Sequence, residues 1–191
     1  MGQRSQIYIK IKTEGKTHLI AKYYQWNYGE RMISRARYGI EYIKKMRNYL
    51  DYYIEQIAKI IDVNFDMFDI ALSRNILDEF KESQNDIKDF NDYVFKWQDN
   101  NDGKLFILVD ENTIKYCFTD YDLKKFNSAK DYMDWDYENW ENSEYLSEKD
   151  KKICKKNMEY ISKNAELMTD NELKEFINDV YILPGINAPL F

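Results

Sequence analysis

Between Glu30 and Ile61 the chain runs without a proline and with a single glycine, Gly39, and its apolar positions keep one rhythm. Ile33, Ala36, Ile40, Ile43, Leu50, Ile54, Ile57 and Ile61 recur at spacings of three and four, with Arg47 filling the one gap. That spacing draws a continuous apolar stripe along a helix and predicts one long helix laid against a core. Arg31, Arg35, Tyr38, Tyr42, Lys45, Tyr49, Tyr52, Gln56 and Lys59 follow the same rhythm on the other side. At about 100° per residue they fall roughly 160 to 200° away from the stripe, so the helix is expected to have a second face of arginine and tyrosine.

Ahead of this helix the period changes to two. Gln6 to Ile11 alternates, Thr13-Glu14-Gly15-Lys16 offers turn chemistry, and Leu19 to Tyr24 follows. The pattern predicts a hairpin whose Ile7, Ile9 and Ile11 face the helix while Tyr8, Lys10 and Lys12 face away. Gln25 to Gly29 then feeds the helix, with Asn27 or Gly29 as its expected cap. Beyond Ile61, the positions Phe65, Phe68, Ile70, Ala71, Ile76, Leu77 and Phe80 predict a helix over about 66–81, and Ile87, Phe90, Tyr93, Val94 and Trp97 predict another. Asn100 to Gly103 reads as a loop that introduces a second hairpin, Lys104 to Val109 and Thr113 to Thr119 about a turn at Asp110-Glu111-Asn112. Leu105 to Val109 is uninterruptedly apolar, the mark of a strand covered on both faces and therefore central in its sheet.

Ser128, Ser147 and Thr169 each stand three residues before a carboxylate, a capping-box arrangement that marks three further helix starts. Leu173, Phe176, Ile177 and Val180 give the last of these a buried side, and both prolines fall in Leu183 to Phe191, expected to be extended. The expected architecture is α+β: a four-stranded, mostly antiparallel sheet of two hairpins, covered by one long helix, with a helical C-terminal part. A single domain over 1–191 is expected, any internal division falling between a 1–127 α+β core and a 128–191 helical acidic part.

Composition narrows the class. Hydrophobic residues make up 44% and charged residues 32%, which suits a folded soluble protein, and no apolar run reaches the roughly 18 residues of a membrane span. The chain opens without an apolar signal core, and Gln6 stands where a myristoylation signal requires Ser or Thr, so a cytoplasmic location with no membrane association is expected. Cys117 and Cys154 are expected as two reduced thiols. The net charge of −6 is unevenly spread: residues 1–60 hold twelve Lys/Arg against five Asp/Glu, residues 61–191 sixteen against twenty-nine. Docking of one half on the other, or an oppositely charged partner, would explain that asymmetry.

Catalytic patterns are scarce. His18 is the one histidine, no Cys-x-x-Cys occurs, and six glycines supply no phosphate-cradling loop or nucleophile elbow, so no metal, no cofactor and no catalytic residue is expected. Asp62 to Asp66 imitates the start of a calcium loop, but Met67 replaces the required glycine. His18 and Cys117 would make a base and nucleophile only if the hairpins placed them side by side.

Two surfaces carry more. Arg4, Tyr24, Trp26, Tyr28, Arg31, Arg35, Tyr38 and Tyr42 combine aromatic faces with guanidinium forks, chemistry that suits nucleic acid or an acidic protein unless the C-terminal helices cover it. In Asp131 to Tyr145, carboxylates alternate with large aromatics and no base intervenes. There Asp131, Asp134, Asp136, Glu138 and Glu141 would imitate nucleic-acid phosphates, and Trp135 and Trp140 would anchor a protein interface. The plainer arrangement is a helix that tucks Tyr132, Trp135 and Trp140 inward.

The opening Met1-Gly2-Gln3-Arg4-Ser5-Gln6-Ile7-Tyr8-Ile9, followed by Tyr23 to Gly39, resembles the start of a group of phage and prophage proteins from low-GC Gram-positive bacteria. The resemblance covers about the first forty residues and carries over no catalytic residue. It implies a phage-encoded binding protein that blocks a host protein or protein–nucleic acid complex, by analogy with anti-CRISPR and other anti-defence proteins. Direct nucleic-acid binding through residues 4–59 is the second expectation, and an enzyme built around His18, Cys117 and the Tyr/Arg cluster the third. The sequence leaves the oligomeric state open.

Overall fold

The computed structural model describes residues 2–13, 15–70, 72–83 and 90–178. In chain order its elements are β1 (Arg4–Thr13), β2 (Lys16–Gln25), α1 (Gly29–Lys45), a 3₁₀ turn (Arg47–Tyr52), α2 (Ile54–Ile60), β3 (Val63–Asn64), β4 (Asp69–Ile70), β5 (Ser73–Asn75), α3 (Ile76–Glu82), α4 (Phe90–Phe95), β6 (Lys104–Val109), β7 (Ile114–Thr119), α5 (Ala129–Tyr137), a second 3₁₀ turn (Trp140–Asn142), α6 (Glu148–Asn164), β8 (Glu166–Leu167) and α7 (Asp170–Asn178).

Both hairpins form where the period of two places them. β1 and β2 pair antiparallel with Ile9 opposite Ile20, next to a turn in which Gly15 takes φ +73°. β6 and β7 pair antiparallel with Ile107 opposite Tyr116, and the Asp110 carboxylate closes their turn by accepting the Asn112 and Thr113 N–H groups at 2.9 and 2.7 Å. The hairpins join through a parallel β1–β6 pair with Ile9 opposite Ile107, because the long helical connection carries the chain back before β6.

The sheet is larger and more mixed than two hairpins. Its order is β5-β2-β1-β6-β7-β8, with β7–β8 also parallel, and β3–β4 forms a separate two-stranded pair. The four-stranded expectation is therefore corrected to six; β5 and β8 have three and two residues, too few to display an alternation.

Ile7, Ile9, Ile11, Leu105, Ile107 and Val109 pack beneath Met32, Ile33, Ala36, Ile40 and Ile43 of α1, with α2, α5 and α6 completing that layer. On the opposite face Tyr8, Phe106 and Cys117 meet Ile76, Leu77, Val94, Phe95, Leu173 and Phe176 from α3, α4 and α7. β6 is thus central and covered on both sides, as its apolar run requires. Tyr8 and Lys10 face away from α1 yet are buried: the Tyr8 hydroxyl donates to Val94 O at 2.5 Å and Lys10 Nζ to Phe176 O at 2.6 Å.

The stripe from Ile33 to Ile61 is buried throughout, but the single helix is not there. Its backbone breaks at the Arg47–Tyr52 turn, where Tyr49 takes φ −138° and ψ 24°. A continuous helix of that length would reach about 48 Å, past a ten-residue strand of about 33 Å. The chain instead doubles back until Ile61 Cγ2 lies 3.3 Å from where a Cβ on Gly39 would stand. Arg47, in the gap of the stripe, donates to Asp110 O and Glu111 O at 3.2 Å each.

The helix expected over 66–81 is likewise corrected. Asn64 Oδ1 accepts the N–H groups of Asp66 and Met67 and bends the chain into the β3–β4 turn, and helix begins only at Ile76, where Asn75 caps it by accepting Leu77 N–H at 3.0 Å. The next helix forms as α4 from Phe90; Ile87, Val180 and the tail Leu183 to Phe191 lie outside the described residues. Ser128, Ser147 and Thr169 cap α5, α6 and α7 as their spacing demands. Tyr28, not Asn27 or Gly29, occupies the cap position of α1 and offers no side-chain cap.

A candidate interaction surface around Tyr28

The loop between β2 and α1 is fixed from within. Asn27 is buried; its Nδ2 donates to Ser5 Oγ at 2.8 Å and its Oδ1 accepts from Arg35 Nε at 2.9 Å. Arg35, 1% exposed, also donates to Ile61 O at 2.9 Å and lies over the Tyr24 ring, with its pKa lowered by burial. Tyr24 is interior and donates to Asp62 Oδ1 at 2.9 Å. Five of the eight residues of the expected arginine–tyrosine face are thus held by contacts within the fold: besides Arg35 and Tyr24, Tyr38 donates to Asp66 Oδ1 at 3.1 Å, Tyr42 packs against the core, and Arg4 is paired with Asp99. Trp26, Tyr28 and Arg31 remain at the surface.

These three line a cleft of about 330 Å³ together with Gln25, Asp69, Ile70 and Leu72. Trp26 is exposed and held at φ +58°, a conformation a bulky side chain seldom takes, and its N–H donates to Gln3 O at 2.6 Å. Phe68, next to Asp69 on the β3–β4 turn, is also left-handed at φ +53° and 95% exposed. Trp26, Ile70 and Leu72 make the apolar part of this cleft, where Arg31 Nη1 reaches Asp69 Oδ2 at 3.3 Å. Exposed apolar side chains gathered in this way mark an interaction site more often than chance. The patch is not legible in the sequence pattern because Phe68 and Ile70 count toward the helix expected over about 66–81, a span that also takes in Leu72; the spacing of two from Phe68 through Ile70 to Leu72, after Asn64 and Asp66, is the available signal.

The acidic aromatic segment divides differently from its expected layout. Tyr132 stacks on Phe118 at 4.8 Å and donates to Asp102 O at 3.0 Å, and Trp140 is 2% exposed, so neither ring is at the surface. Trp135 is half-buried between Tyr121, Phe126 and Tyr132. Asp134 is paired with Lys130 at 2.6 Å, while Asp131, Glu138 and Glu141 are exposed.

Asp136 turns toward the start of α1. There Gly29, at φ +38°, admits no side chain: a Cβ would overlap the Tyr137 ring and lie 2.8 Å from Asp136 Oδ2. Tyr137 donates its hydroxyl to Glu30 Oε2. Gln3, Tyr28, Glu30, Asp136, Tyr137, Glu138 and Tyr145 line a second cleft, of about 470 Å³. Burial, then the charges of Asp102 and Glu30, push Asp136 up to about 8, against the Gly29 N–H that holds it down. Burial also raises Glu30, opposed by its bond from Tyr137. The two surfaces read separately from the sequence therefore meet, and Tyr28 lines both clefts.

His18 and Cys117 are not brought together. β1 and β6 lie between their strands, and His18 Nε2 pairs with Asp51 at 3.1 Å while Cys117 sits in the core of the other sheet face. Burial pushes the Cys117 thiol up to about 12, which leaves it protonated and a poor nucleophile. Among the described residues no group of three or more His, Cys, Asp or Glu could hold a metal ion, and no helix is long and apolar enough to cross a membrane. Comparison of the chain with protein-family models, with curated proteins and with solved structures finds no match.

Proposed function

We propose that this is a non-enzymatic, phage-encoded protein that inhibits a host nucleic-acid-handling or defence complex by protein–protein contact, in the manner of an anti-CRISPR protein. The observation that carries the binding role is the exposed patch of Trp26, Ile70 and Leu72 with Arg31 at its edge. Aromatic residues and arginine are the side chains from which interface hot spots are built. The phage origin and the kind of target rest on the resemblance of the first forty residues, and the carboxylates beside the patch suit a partner that is basic because it handles nucleic acid. Direct nucleic-acid binding has less support, since Arg35 is interior, Arg4 and Arg31 are paired with Asp99 and Asp69, and the neighbouring cleft is acidic.

A pull-down from the lysate of a low-GC Gram-positive host, with and without nuclease, tests the proposal. A protein retained after nuclease treatment, lost with Trp26→Ala or Leu72→Ser and kept with Tyr52→Ser, is the expected result. Retention that disappears with nuclease would favour nucleic acid instead.

A further inference from the structure

We infer that the two clefts beside Tyr28 read a single segment of a partner protein, seating an apolar side chain between Trp26, Ile70 and Leu72 and an adjacent lysine or arginine among Glu30, Asp136 and Glu138. This rests on the reading above, that the surface docks a protein, and adds the chemistry of what is docked.

Charge complementarity selects the basic residue. The lining of the second cleft contains three carboxylates and no lysine or arginine. Its walls are tyrosines: Tyr28 and Tyr137 stand 6.5 Å apart at 56°, and Tyr145 is almost fully exposed. Carboxylates ringed by aromatic faces suit an organic cation, which gains both ion pairing and attraction to the ring faces. A phosphate or an acidic segment would meet repulsion there. Burial, then the charges of Asp102 and Glu30, raises Asp136, and a cation placed beside these carboxylates acts against that rise.

The apolar half is selected by exposure and by strain. Trp26 and Phe68 both hold left-handed backbone while 54% and 95% exposed, an arrangement with an intrinsic cost that packing among the described residues returns only in part. Burial against an apolar side chain of a partner supplies that return. Because one tyrosine lines both clefts, the two occupants must come from side chains close together in one segment.

Selection of a displayed random-peptide library on the full-length protein tests this. Peptides selected on the wild type should share a lysine or arginine next to Leu, Ile, Phe or Trp. The double variant Asp136→Asn/Glu138→Gln should bind a selected peptide about tenfold more weakly, equivalent to about 1.4 kcal/mol, and a fresh selection on it should lose the basic residue and keep the apolar one. Leu72→Ser should lose the apolar preference and keep the basic one, and Tyr52→Ser should change neither. Melting curves of all variants, with exposed positions chosen at 72, 52 and 138, verify that folding is intact. Selected peptides that need Leu72 but show no basic preference would overturn the pairing and leave the docking surface standing. A library that yields no peptide dependent on Leu72 would overturn both.

Discussion

The rings of Tyr28 and Tyr137 stand 6.5 Å apart although the residues come from opposite ends of the sequence pattern, one from the basic first half and one from the acidic last third. Their neighbours Glu30 and Asp136 crowd the start of α1, where a helix dipole favours negative charge but burial does not. The result is an acidic cleft at some cost to stability.

That cost sets the first prediction. Asp136 titrates near pH 4 when unfolded and is pushed up to about 8 in the folded chain. Between those values the folded protein holds a proton that the unfolded chain has released, so the contribution of this group to stability falls as pH rises from about 4 to about 8 and then levels. Asp136→Asn should match wild type near pH 4 and become more stable by about 1 to 3 kcal/mol at pH 8, after allowance for solvent screening. Thermal melts of the two proteins across that range check it.

The buried stripe and the exposed patch should respond in opposite ways. Ile40 of α1 and Ile54 of α2 lie in the core. Ile40→Asp or Ile54→Asp should unfold the protein, since a buried charge costs several kcal/mol against a total of about 5 to 15. Leu72→Ser, at a position 78% exposed, should stay within about 0.5 kcal/mol of wild type. Denaturant titration of the three variants distinguishes these outcomes.

Gly29→Ala should be disproportionately harmful for the addition of one methyl group. The new Cβ collides with the Tyr137 ring and approaches Asp136 Oδ2 at 2.8 Å, at a backbone φ of +38° that disfavours it. A loss on the order of 2 kcal/mol or more is expected, together with displacement of Tyr137 that near-ultraviolet circular dichroism would register.

Filter retention of DNA or RNA should be undetectable at about 50 mM salt, where a protein that neutralises several phosphates binds most tightly. Retention that declines steeply toward about 200 mM would restore the nucleic-acid alternative.

Sequence legibility followed locality. The hairpins and the three capped helices were readable because Ile7, Ile9 and Ile11, Asp110, and Ser128, Ser147 and Thr169 act on residues next to them. The stripe of Ile33 to Ile61 revealed which side is buried but not that the rod breaks, because the break answers to the width of the sheet. Arg35 looked like part of a binding face; the Asn27 and Ile61 groups that hold it inside are contributed from other segments. The patch at Ile70 and Leu72 was hidden by one local competition, the Asn64 turn against helix, and the acidic cleft by a contact between residues far apart in the chain.

The central claim, that the surface around Tyr28 is the one that docks a protein, is tested most directly by site-specific photo-crosslinking in host cells. Leu72, beside Tyr28, and Tyr52, next to the Asp51 that bonds Thr13 at the other end of β1, are matched in exposure at 78% and 82%. A benzophenone side chain at position 72 should capture one host protein that survives nuclease treatment, lose it when Asp136→Asn/Glu138→Gln is added, and capture nothing from position 52. Capture of the same protein from position 52, with none from position 72, would contradict the account.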